Sequence, residues 1–320
     1  WHVLRLRLTG WGKYTVVYNP CVELLGEVFA RMAPCTHNLR KDFPKYFSQN
    51  RALKLKLITA LREAGTDGVP DLIQALGDSD SEVRRAASDA LGEIGDSRAV
   101  QHLIQLFTDK DNGIRLSVCK ALGRIRDAQA VPVLIQALRD SDSSVRRAAA
   151  EALVKIGTPA VPALIQALGY LNEDVRRAAA EALVEIGTPA VPALIQALKN
   201  TNRDVRHAIV EALGKLGDPQ AVPALIQALG DSKWQVRRAA AEALVEIGTP
   251  AVPALIQALG SRSDRVRRVA CEALGAIGDP QAIPALSVCA HAGEESARNA
   301  LQTLGHPALD LPQAVAQVAA

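Results

Sequence analysis

Residues 142–168 read DSSVRRAAAEALVKIGTPAVPALIQAL, and this stretch decides the fold because close copies of it fill most of the 320-residue chain. A Val-Arg dipeptide marks each copy, with Ile-Arg in one of them. The intervals between successive dipeptides are 30 or 31 residues, and the dipeptides begin at Val83, Ile114, Val145, Val175, Val205, Val236 and Val266. Self-similarity at such a period predicts a repeat architecture.

Within the unit, apolar residues follow the period of two helices. In the first helix they recur at spacings of three and four residues, which indicates one buried face. These residues are Val145, Ala148, Ala149, Ala152, Leu153 and Ile156. Asp142 is predicted to cap this helix and Gly157 to end it in a left-handed conformation. Thr158 is predicted to cap a second helix with Pro159 in its first turn. The residues predicted to be buried in that helix are Val161, Leu164, Ile165 and Leu168.

Neither helix can bury its apolar stripe alone, so the units are predicted to stack on one another. The predicted fold class is therefore all-α, an α-solenoid of two-helix repeats of about 30–31 residues. The array is predicted to occupy residues 51–305, preceded by a basic, aromatic-rich segment at 1–50 and followed by a tail or cap at 306–320.

The composition agrees with a folded helical array. Hydrophobic residues make up 48% of the chain and the net charge is only +3, which excludes a disordered chain. Aromatic residues make up only 3% of the chain, as expected for helices that pack through small aliphatic side chains. The five cysteines are scattered, as is typical of a reducing compartment. No apolar run approaches the roughly 18 residues that cross a bilayer, and charged residues interrupt any secretion signal. The sequence predicts a cytoplasmic protein with no membrane span.

The unit D-x-x-V-R-x-x-A-x-x-A-L-x-x-I-G followed by A-V-P-x-L-I-x-A-L resembles the short HEAT-like repeat first associated with phycobilisome lyase proteins. The resemblance covers roughly residues 53–305. It implies a HEAT/armadillo-type fold in which the Val-Arg helix lines the concave face. It is less specific for function, because the repeat family includes bilin lyase subunits, phycobilisome degradation factors, diiron deoxyhypusine hydroxylases and plain scaffolds.

The first arginine after each valine is predicted to be structural, since a ligand contact would not recur in every repeat. An aspartate often lies three residues before the valine, as at Asp80, Asp111 and Asp142, so a ladder of ion pairs between repeats is expected. The ladder arginines are Arg84, Arg115, Arg146, Arg176, Arg206, Arg237 and Arg267.

The second position after the valine forms a candidate binding row. The row holds Arg85, Arg147, Arg177, His207, Arg238 and Arg268, with Leu116 in the remaining repeat. Most of these positions have an acid four residues later, as at Glu151 and Glu242, so each pair shares a helix face. The acidic residues cancel most of the field that nucleic acid would need. The row is therefore either a set of solvated helix pairs or a mixed-charge groove that binds a protein.

Three aromatic residues lie within the regular repeats. Phe107 falls on a helical stripe and is predicted to be in the core. Tyr170 and Trp234 fall in the turn before a Val-Arg helix, on the same edge of the array and two repeats apart. Because Trp and Tyr are enriched at interface hot spots, the two residues either pack locally over their turns or mark a partner-binding edge.

The sequence contains no recognisable catalytic or metal motif. The six histidines form no i, i+4 pair and none is followed by Glu, whereas the resemblance implies His-Glu pairs for the diiron hydroxylases. Cys289 and His291, two residues apart, would point to different faces of a helix. No phosphate-binding glycine loop or nucleophile elbow is present. No cofactor, metal site or catalytic residue is predicted.

The first fifty residues differ from the array. They hold eight of the eleven aromatic residues, and residues 1–62 carry eleven Lys or Arg against three acids, a net charge of +8. Because the whole chain is +3, the remaining 258 residues carry −5. Three interpretations of this segment stay open. It is an end cap of the array, or a fragment of a longer protein or upstream sequence, since Met32 is the sole methionine. The third interpretation is a basic arm that binds nucleic acid, and nucleic acid is the least favoured partner.

The sequence thus favours a non-enzymatic scaffold that binds another protein on the concave face. The alternative, implied only by the resemblance, is a phycobilin lyase subunit or phycobilisome-handling factor with a phycobiliprotein as its partner. A weaker alternative is a relative of diiron deoxyhypusine hydroxylase without its His-Glu metal motifs.

Overall fold

The computed structural model describes residues 51–306, and this part of the chain consists of seventeen α-helices and short 3-10 turns without a β-strand. The helices are α1 Arg51–Glu63, α2 Val69–Ala75, α3 Ser81–Ile94, α4 Val100–Leu106, α5 Asn112–Ile125, α6 Val131–Ala137, α7 Ser143–Ile156, α8 Val161–Ala167, α9 Glu173–Ile186, α10 Val191–Ala197, α11 Arg203–Leu216, α12 Val222–Ala228, α13 Trp234–Ile247, α14 Val252–Ala258, α15 Asp264–Ile277, α16 Ile283–His291 and α17 Glu295–Thr303.

Each repeat pairs a long helix with a short one. The seven Val-Arg helices, the odd-numbered helices from α3 to α15, each have 14 residues. A three-residue 3-10 turn follows each of them and leads into a short helix, as Thr158–Ala160 leads into α8. The predicted all-α solenoid of two-helix repeats is confirmed.

Side chains in the preceding turn fix the start of most long helices. An Asp142 carboxylate oxygen accepts hydrogen bonds from the backbone N–H groups of Ser144 and Val145, at 2.8 and 3.3 Å. Asp80 and Asp111 cap α3 and α5 in the same way. These aspartates satisfy N–H groups that have no partner within the helix.

The turn between the long and short helices departs from the prediction that Thr158 caps the second helix. The N–H groups that such a cap would bind belong to Ala160 and Val161. Both bond to main-chain oxygens instead, Ala160 to Gly157 at 2.8 Å and Val161 to Thr158. A true side-chain cap occurs where the turn is one residue longer: Asp218 accepts from the N–H of Gln220 at 2.8 Å.

Turn length varies together with the residue that follows the Ala-Leu pair of the long helix. Repeats with the longer turn have glycine there, and repeats with the shorter turn have valine; the residues are Gly92, Gly123, Gly214 and Gly275, and Val154, Val184 and Val245. A Cβ atom added to any of these glycines would lie only 2.6–2.9 Å from the Cα atom of an alanine in α5, α7, α13 or α17. The glycines therefore permit a backbone approach that a side chain would prevent.

The predicted core is confirmed with one difference. All six apolar residues predicted for the face of α7 are buried, as are Val161, Leu164 and Leu168 of the short-helix segment. Ile165 is half-buried, because it lies at the edge of that stripe. Phe107 is buried as predicted.

The chain divides into two compact units, Trp1–Ala152 and Leu153–Ala320, of which residues 51–152 and 153–306 are described. In the first unit α3 packs beside α5, and in the second α11 packs beside α13, with the short helices packed against the long ones. The segment at 1–50 and the tail after residue 306 lie outside the described residues. The domain limits at residues 50 and 305 stay predictions.

Candidate protein-binding surface

The predicted binding row lies on exposed positions of the long helices. Its arginine side chains are 48–79% exposed and His207 is 38% exposed. Leu116, which occupies the equivalent position in α5, is half-buried. The row therefore presents charged groups that another molecule can reach.

The ion pairs of the row follow two patterns. Arg238 pairs with Glu242 at 2.8 Å, as the i, i+4 spacing predicts, and Arg147, His207 and Arg268 approach their acids at 3.5–3.9 Å. Arg85 and Arg177 differ: they turn toward acids three residues earlier, Glu82 at 2.5 Å and Asp174 at 2.7 Å. Those two acids lie in the first helical turn, where the helix dipole favours a negative charge.

An open groove lies next to His207, between the start of α11 and the start of α13. It is lined by Arg203, Asp204, His207, Lys233, Gln235 and Val236, and its volume is about 180 Å³. Arg203, Lys233 and the carboxylate of Asp204 face this groove, so its charge is mixed.

The two aromatic residues singled out in the sequence are accessible. Tyr170 lies in the turn before α9 and is 37% exposed. Trp234 was predicted to lie in the turn before α13, but it is the first residue of that helix, and it is 58% exposed. Leu171, which the sequence analysis did not select, is fully exposed beside Tyr170. An exposed leucine in a turn has no periodicity by which the sequence could have identified it.

Each ladder arginine binds the turn that precedes its own helix. The Nη1 group of Arg115 donates to the carbonyl oxygens of Asp109 and Lys110, at 2.9 and 3.2 Å. Both Nη1 bonds recur at Arg84, Arg146, Arg176 and Arg206, and the bond to the carbonyl oxygen six residues earlier recurs at Arg237 and Arg267. This contact holds the guanidinium group in one orientation throughout the array.

Several ladder arginines also reach a carboxylate of the next repeat. Arg115 donates from Nε and Nη2 to the two carboxylate oxygens of Asp140, at 2.7 and 2.8 Å, and Arg206 binds Asp231 in the same bidentate manner, at 2.8 and 2.9 Å. Arg84 pairs with Asp109 at 2.8 Å and Arg267 with Glu294 at 2.7 Å. Lys54, which the sequence analysis missed, makes the equivalent pair with Asp78 at 2.7 Å.

The carboxylates in these pairs are not the predicted ones. Asp80, Asp111 and Asp142 cap the long helices, although Asp80 also pairs with Arg51 at 2.6 Å. In four of the five pairs the carboxylate lies two residues before the N-cap position, because the guanidinium group held by its own turn points its free edge there; Glu294 instead occupies the N-cap position of α17. The recurring Asp-x-Asp pattern at residues 78–80, 109–111 and 140–142 carries both roles and was the signal available in the sequence.

Acid is expected to weaken the array through this ladder. The Arg115 guanidinium lowers the pKa of Asp140, and Arg206 lowers the pKa of Asp231. A carboxylate with a lowered folded-state pKa stabilises the fold above its unfolded pKa, about 4, and this contribution is lost as the pH falls through the folded-state pKa. The urea midpoint, followed by circular dichroism at 222 nm, should therefore be level above about pH 5 and fall between about pH 4 and 2. A midpoint that does not change over the acid range would contradict this role for the ladder.

Within residues 51–306, no group of three or more His, Cys, Asp and Glu side chains is placed to hold a metal ion. Burial raises the pKa of Cys119 to about 12 and that of Cys271 to about 11, so both thiols stay protonated at neutral pH. His291 contacts the carbonyl oxygen of Ser287 through Nδ1 at 2.7 Å.

In the described residues no single helix is both long and apolar enough to cross a membrane; three sharply bent helix pairs reach that length and composition only when both helices of a pair are counted together.

A family model described as HEAT repeats matches four overlapping stretches, residues 46–118, 103–170, 161–241 and 222–305. Together the stretches cover most of the chain. No curated protein sequence matches it significantly.

Solved structures with helical repeats are similar over most of the chain. An engineered protein is 20% identical, with 92% of this chain and 97% of that chain covered and a TM-score of 0.39. Human deoxyhypusine hydroxylase in complex with glycerol is 23% identical, with coverage of 81% and 97% and a TM-score of 0.31. The complex of CpcE and CpcF of phycocyanin lyase from Nostoc sp. is 26% identical, with coverage of 74% and 93% and a TM-score of 0.31. These low TM-scores support no conclusion about function.

Proposed function

Because the chain belongs to the HEAT-repeat family, we propose that it is a non-enzymatic scaffold that binds another protein along the binding row. The observation that carries the proposal is the exposure of six cationic or titratable side chains at one repeated position. Exposed ion pairs contribute little to stability, so their partners can be exchanged at small cost. Complementary charges across an interface raise the association rate and select among partners.

Tyr170 and Trp234 are proposed as apolar contacts of the same partner. Both are accessible, and Trp234 starts the helix that borders the groove at His207. Large aromatic side chains contribute contact area at a small entropic cost, which makes them frequent anchors of interfaces.

Charge reversal tests the choice of surface. The variant Arg147→Glu, Arg177→Glu, Arg238→Glu should lose most of the proteins that the wild-type chain captures from its native lysate, because repulsion replaces attraction at three points of the row. The captured proteins are compared by quantitative mass spectrometry, and far-UV circular dichroism should be unchanged.

The matched control makes the same change of charge elsewhere. Lys155, Lys199 and Lys215 are exposed and lie outside the row, so Lys155→Glu, Lys199→Glu, Lys215→Glu should capture the wild-type set. If the row variant retains the same proteins as this control, the row is not the binding surface.

The resemblance of the repeat unit to that of phycobilisome lyase proteins supports a second proposal, a bilin lyase subunit or phycobilisome-handling factor. Co-expression with a phycobiliprotein and a bilin tests it. Chromophore attachment or co-purification of the subunit is the expected result. No chromophore transfer, no bilin absorbance and no subunit binding would exclude this function.

A further inference from the structure

Within the described residues of the unit Leu153–Ala320, the protein itself fills two forks of the ladder and leaves two unfilled. A fork here is the Nε and Nη2 edge of a ladder arginine. In that unit the fork of Arg206 holds both carboxylate oxygens of Asp231, and the fork of Arg267 binds Glu294 through Nε and Asp264 of its own helix through Nη2. The two other ladder arginines of that unit are Arg176 and Arg237, and they differ in what the next repeat offers them.

Arg176 has no acceptor for its fork among the described residues. Its Nη1 group binds the carbonyl oxygens of Tyr170 and Leu171, both at 2.8 Å, and within residues 51–306 Arg176 makes no other hydrogen bond. Asn200 stands where the equivalent repeat has Asp231. The Asn200 Oδ1 atom accepts from the N–H of Asn202 at 2.8 Å, as Asp231 Oδ1 accepts from Lys233. The second carboxylate oxygen is thus replaced by an amide NH₂, which is a donor and cannot fill the fork.

Arg237 is in the same situation for a different reason. Its Nη1 group binds the carbonyl oxygen of Asp231 at 2.7 Å and makes no further bond in the described part of the chain. Ser261 occupies the position of the carboxylate, and its hydroxyl accepts from the N–H of Ser263 at 3.2 Å. A serine side chain has a single oxygen, so it cannot present two acceptors to a guanidinium group.

The exposed aromatic residues accompany these two open forks. Tyr170 and Leu171 belong to the turn that Arg176 holds, and Trp234 lies three residues before Arg237 on α13, which places the two side chains on neighbouring positions of one helix face. Both arginines are half-buried. Water screens such a cation less than it screens the binding row, so an ion pair there is stronger than a fully exposed one.

We propose that the forks of Arg176 and Arg237 bind two carboxylates of an extended acidic segment of the partner protein, whose apolar side chains cover Tyr170, Leu171 and Trp234. The proposal rests on the proposed scaffold function and assigns it a site and a partner class. Carboxylate is the expected occupant because the same fork holds a carboxylate at Arg84, Arg115, Arg206 and Arg267. The amide of Asn200 adds a further donor to the anion at the first fork.

The spacing of the forks defines the segment. One long helix, α11, lies between α9 and α13. The forks are therefore two helix spacings of about 8–10 Å apart, or about 16–20 Å. An extended chain covers that distance in about five or six residues. The segment should therefore carry two acidic residues about six positions apart, with large apolar residues beside them.

The test uses three fluorescein-labelled twelve-residue peptides with blocked ends. One carries two glutamates six positions apart, each beside a leucine; the second has glutamine in place of glutamate, and the third has phosphoserine. Fluorescence anisotropy should show the glutamate peptide binding to the full chain with a Kd below about 1 mM and at least tenfold tighter than the glutamine peptide.

Two double variants decide whether the forks are the site. Asn200→Asp, Ser261→Asp supplies the missing internal carboxylates and should weaken binding of the glutamate peptide at least tenfold while raising the melting temperature. Asn202→Asp, Ser263→Asp adds the same two charges two residues away, at cap positions where other repeats already carry aspartate, and should stay within about threefold of wild type.

Each other outcome overturns the proposal. Three results would show that the forks do not select carboxylates. The first is that the variant Asn200→Asp, Ser261→Asp binds the glutamate peptide as tightly as wild type. The others are that the glutamine peptide binds as tightly as the glutamate peptide, or that the glutamate peptide does not bind. Preference for the phosphoserine peptide shows that the partner class is wrong. The two proposals can fail separately. If the Arg147, Arg177 and Arg238 variant loses captured proteins and the variant Asn200→Asp, Ser261→Asp does not, the forks are rejected and the scaffold proposal stands. If the peptide binds but the chain captures no protein, the scaffold proposal is rejected and the forks still bind carboxylates.

Discussion

Replacing Gly92 with valine is expected to lower the free energy of unfolding by about 3 kcal/mol, because the substitution forces α3 away from α5. A Cβ atom on Gly92 would lie 2.6 Å from the Cα atom and 2.8 Å from the Cβ atom of Ala121. The first of these is a backbone atom, so no rotamer change relieves the clash. Helix propensity acts in the opposite direction, since glycine in a helix costs about 1 kcal/mol relative to alanine.

The sign of the effect therefore separates the two influences. Urea unfolding followed at 222 nm should give a lower midpoint for Gly92→Val and also, by a smaller amount, for Gly92→Ala. Gly77→Ala is the control, because a Cβ atom there has its nearest neighbour at 3.5 Å and no left-handed backbone is required. Its free energy of unfolding should stay within about 0.5 kcal/mol of the wild-type value. An unchanged or higher midpoint for Gly92→Val would mean that the helices are not held at this distance.

Replacing Asp140 with asparagine is expected to cost about 2–3 kcal/mol, the second large effect. The side chains of Arg115 and Asp140 are only 14% and 8% exposed. Asparagine keeps an oxygen for the N–H of Asp142, which Asp140 binds at 2.9 Å, but it presents an NH₂ group to the Nε of Arg115. A partly buried guanidinium group then loses both its counter-charge and an acceptor.

The control for this substitution is an equally isosteric change at an exposed pair. Glu93 lies 3.1 Å from Arg62 and 4.0 Å from Arg124, and all three side chains are 42–45% exposed, so Glu93→Gln should change the free energy of unfolding by less than about 0.5 kcal/mol. Asp140→Asn should also flatten the acid dependence of the urea midpoint, since it removes one of the titrating carboxylates. If Asp140→Asn and Glu93→Gln lower the free energy of unfolding equally, the Arg115–Asp140 pair stabilises the fold no more than an exposed ion pair does.

The repeated pattern was sufficient to predict the fold but not the details of the turns. Helix periodicity located the buried face of α7, since apolar residues at spacings of three and four have no other regular solution. The cap at Thr158 was wrong because the donors it needs are used by the main chain of the 3-10 turn. Hydrogen bonding between main-chain groups leaves no trace in the side-chain sequence.

The candidate site was predictable only in part for a similar reason. The row from Arg85 to Arg268 follows from a single repeated position, and the structure shows it exposed. The open forks depend on a relation between residues in different repeats, Arg176 with Asn200 and Arg237 with Ser261. That relation appears only when the ladder carboxylate is identified as the residue two positions before the cap, which the structure showed at Asp140 and Asp231.

The close contact at the helical glycines bears on how such a chain changes length over generations. The receiving residue is an alanine in every case, Ala121, Ala152, Ala243 or Ala300, and repeats with valine are followed by the same alanine. Residues 175–198 and 236–259 are identical, which is the mark of a copied segment. Unequal crossing-over that inserts or deletes one whole repeat keeps each glycine or valine with the turn of matching length, and the helix that follows always offers the same alanine. One recombination event can therefore lengthen or shorten the array without a new interface having to evolve.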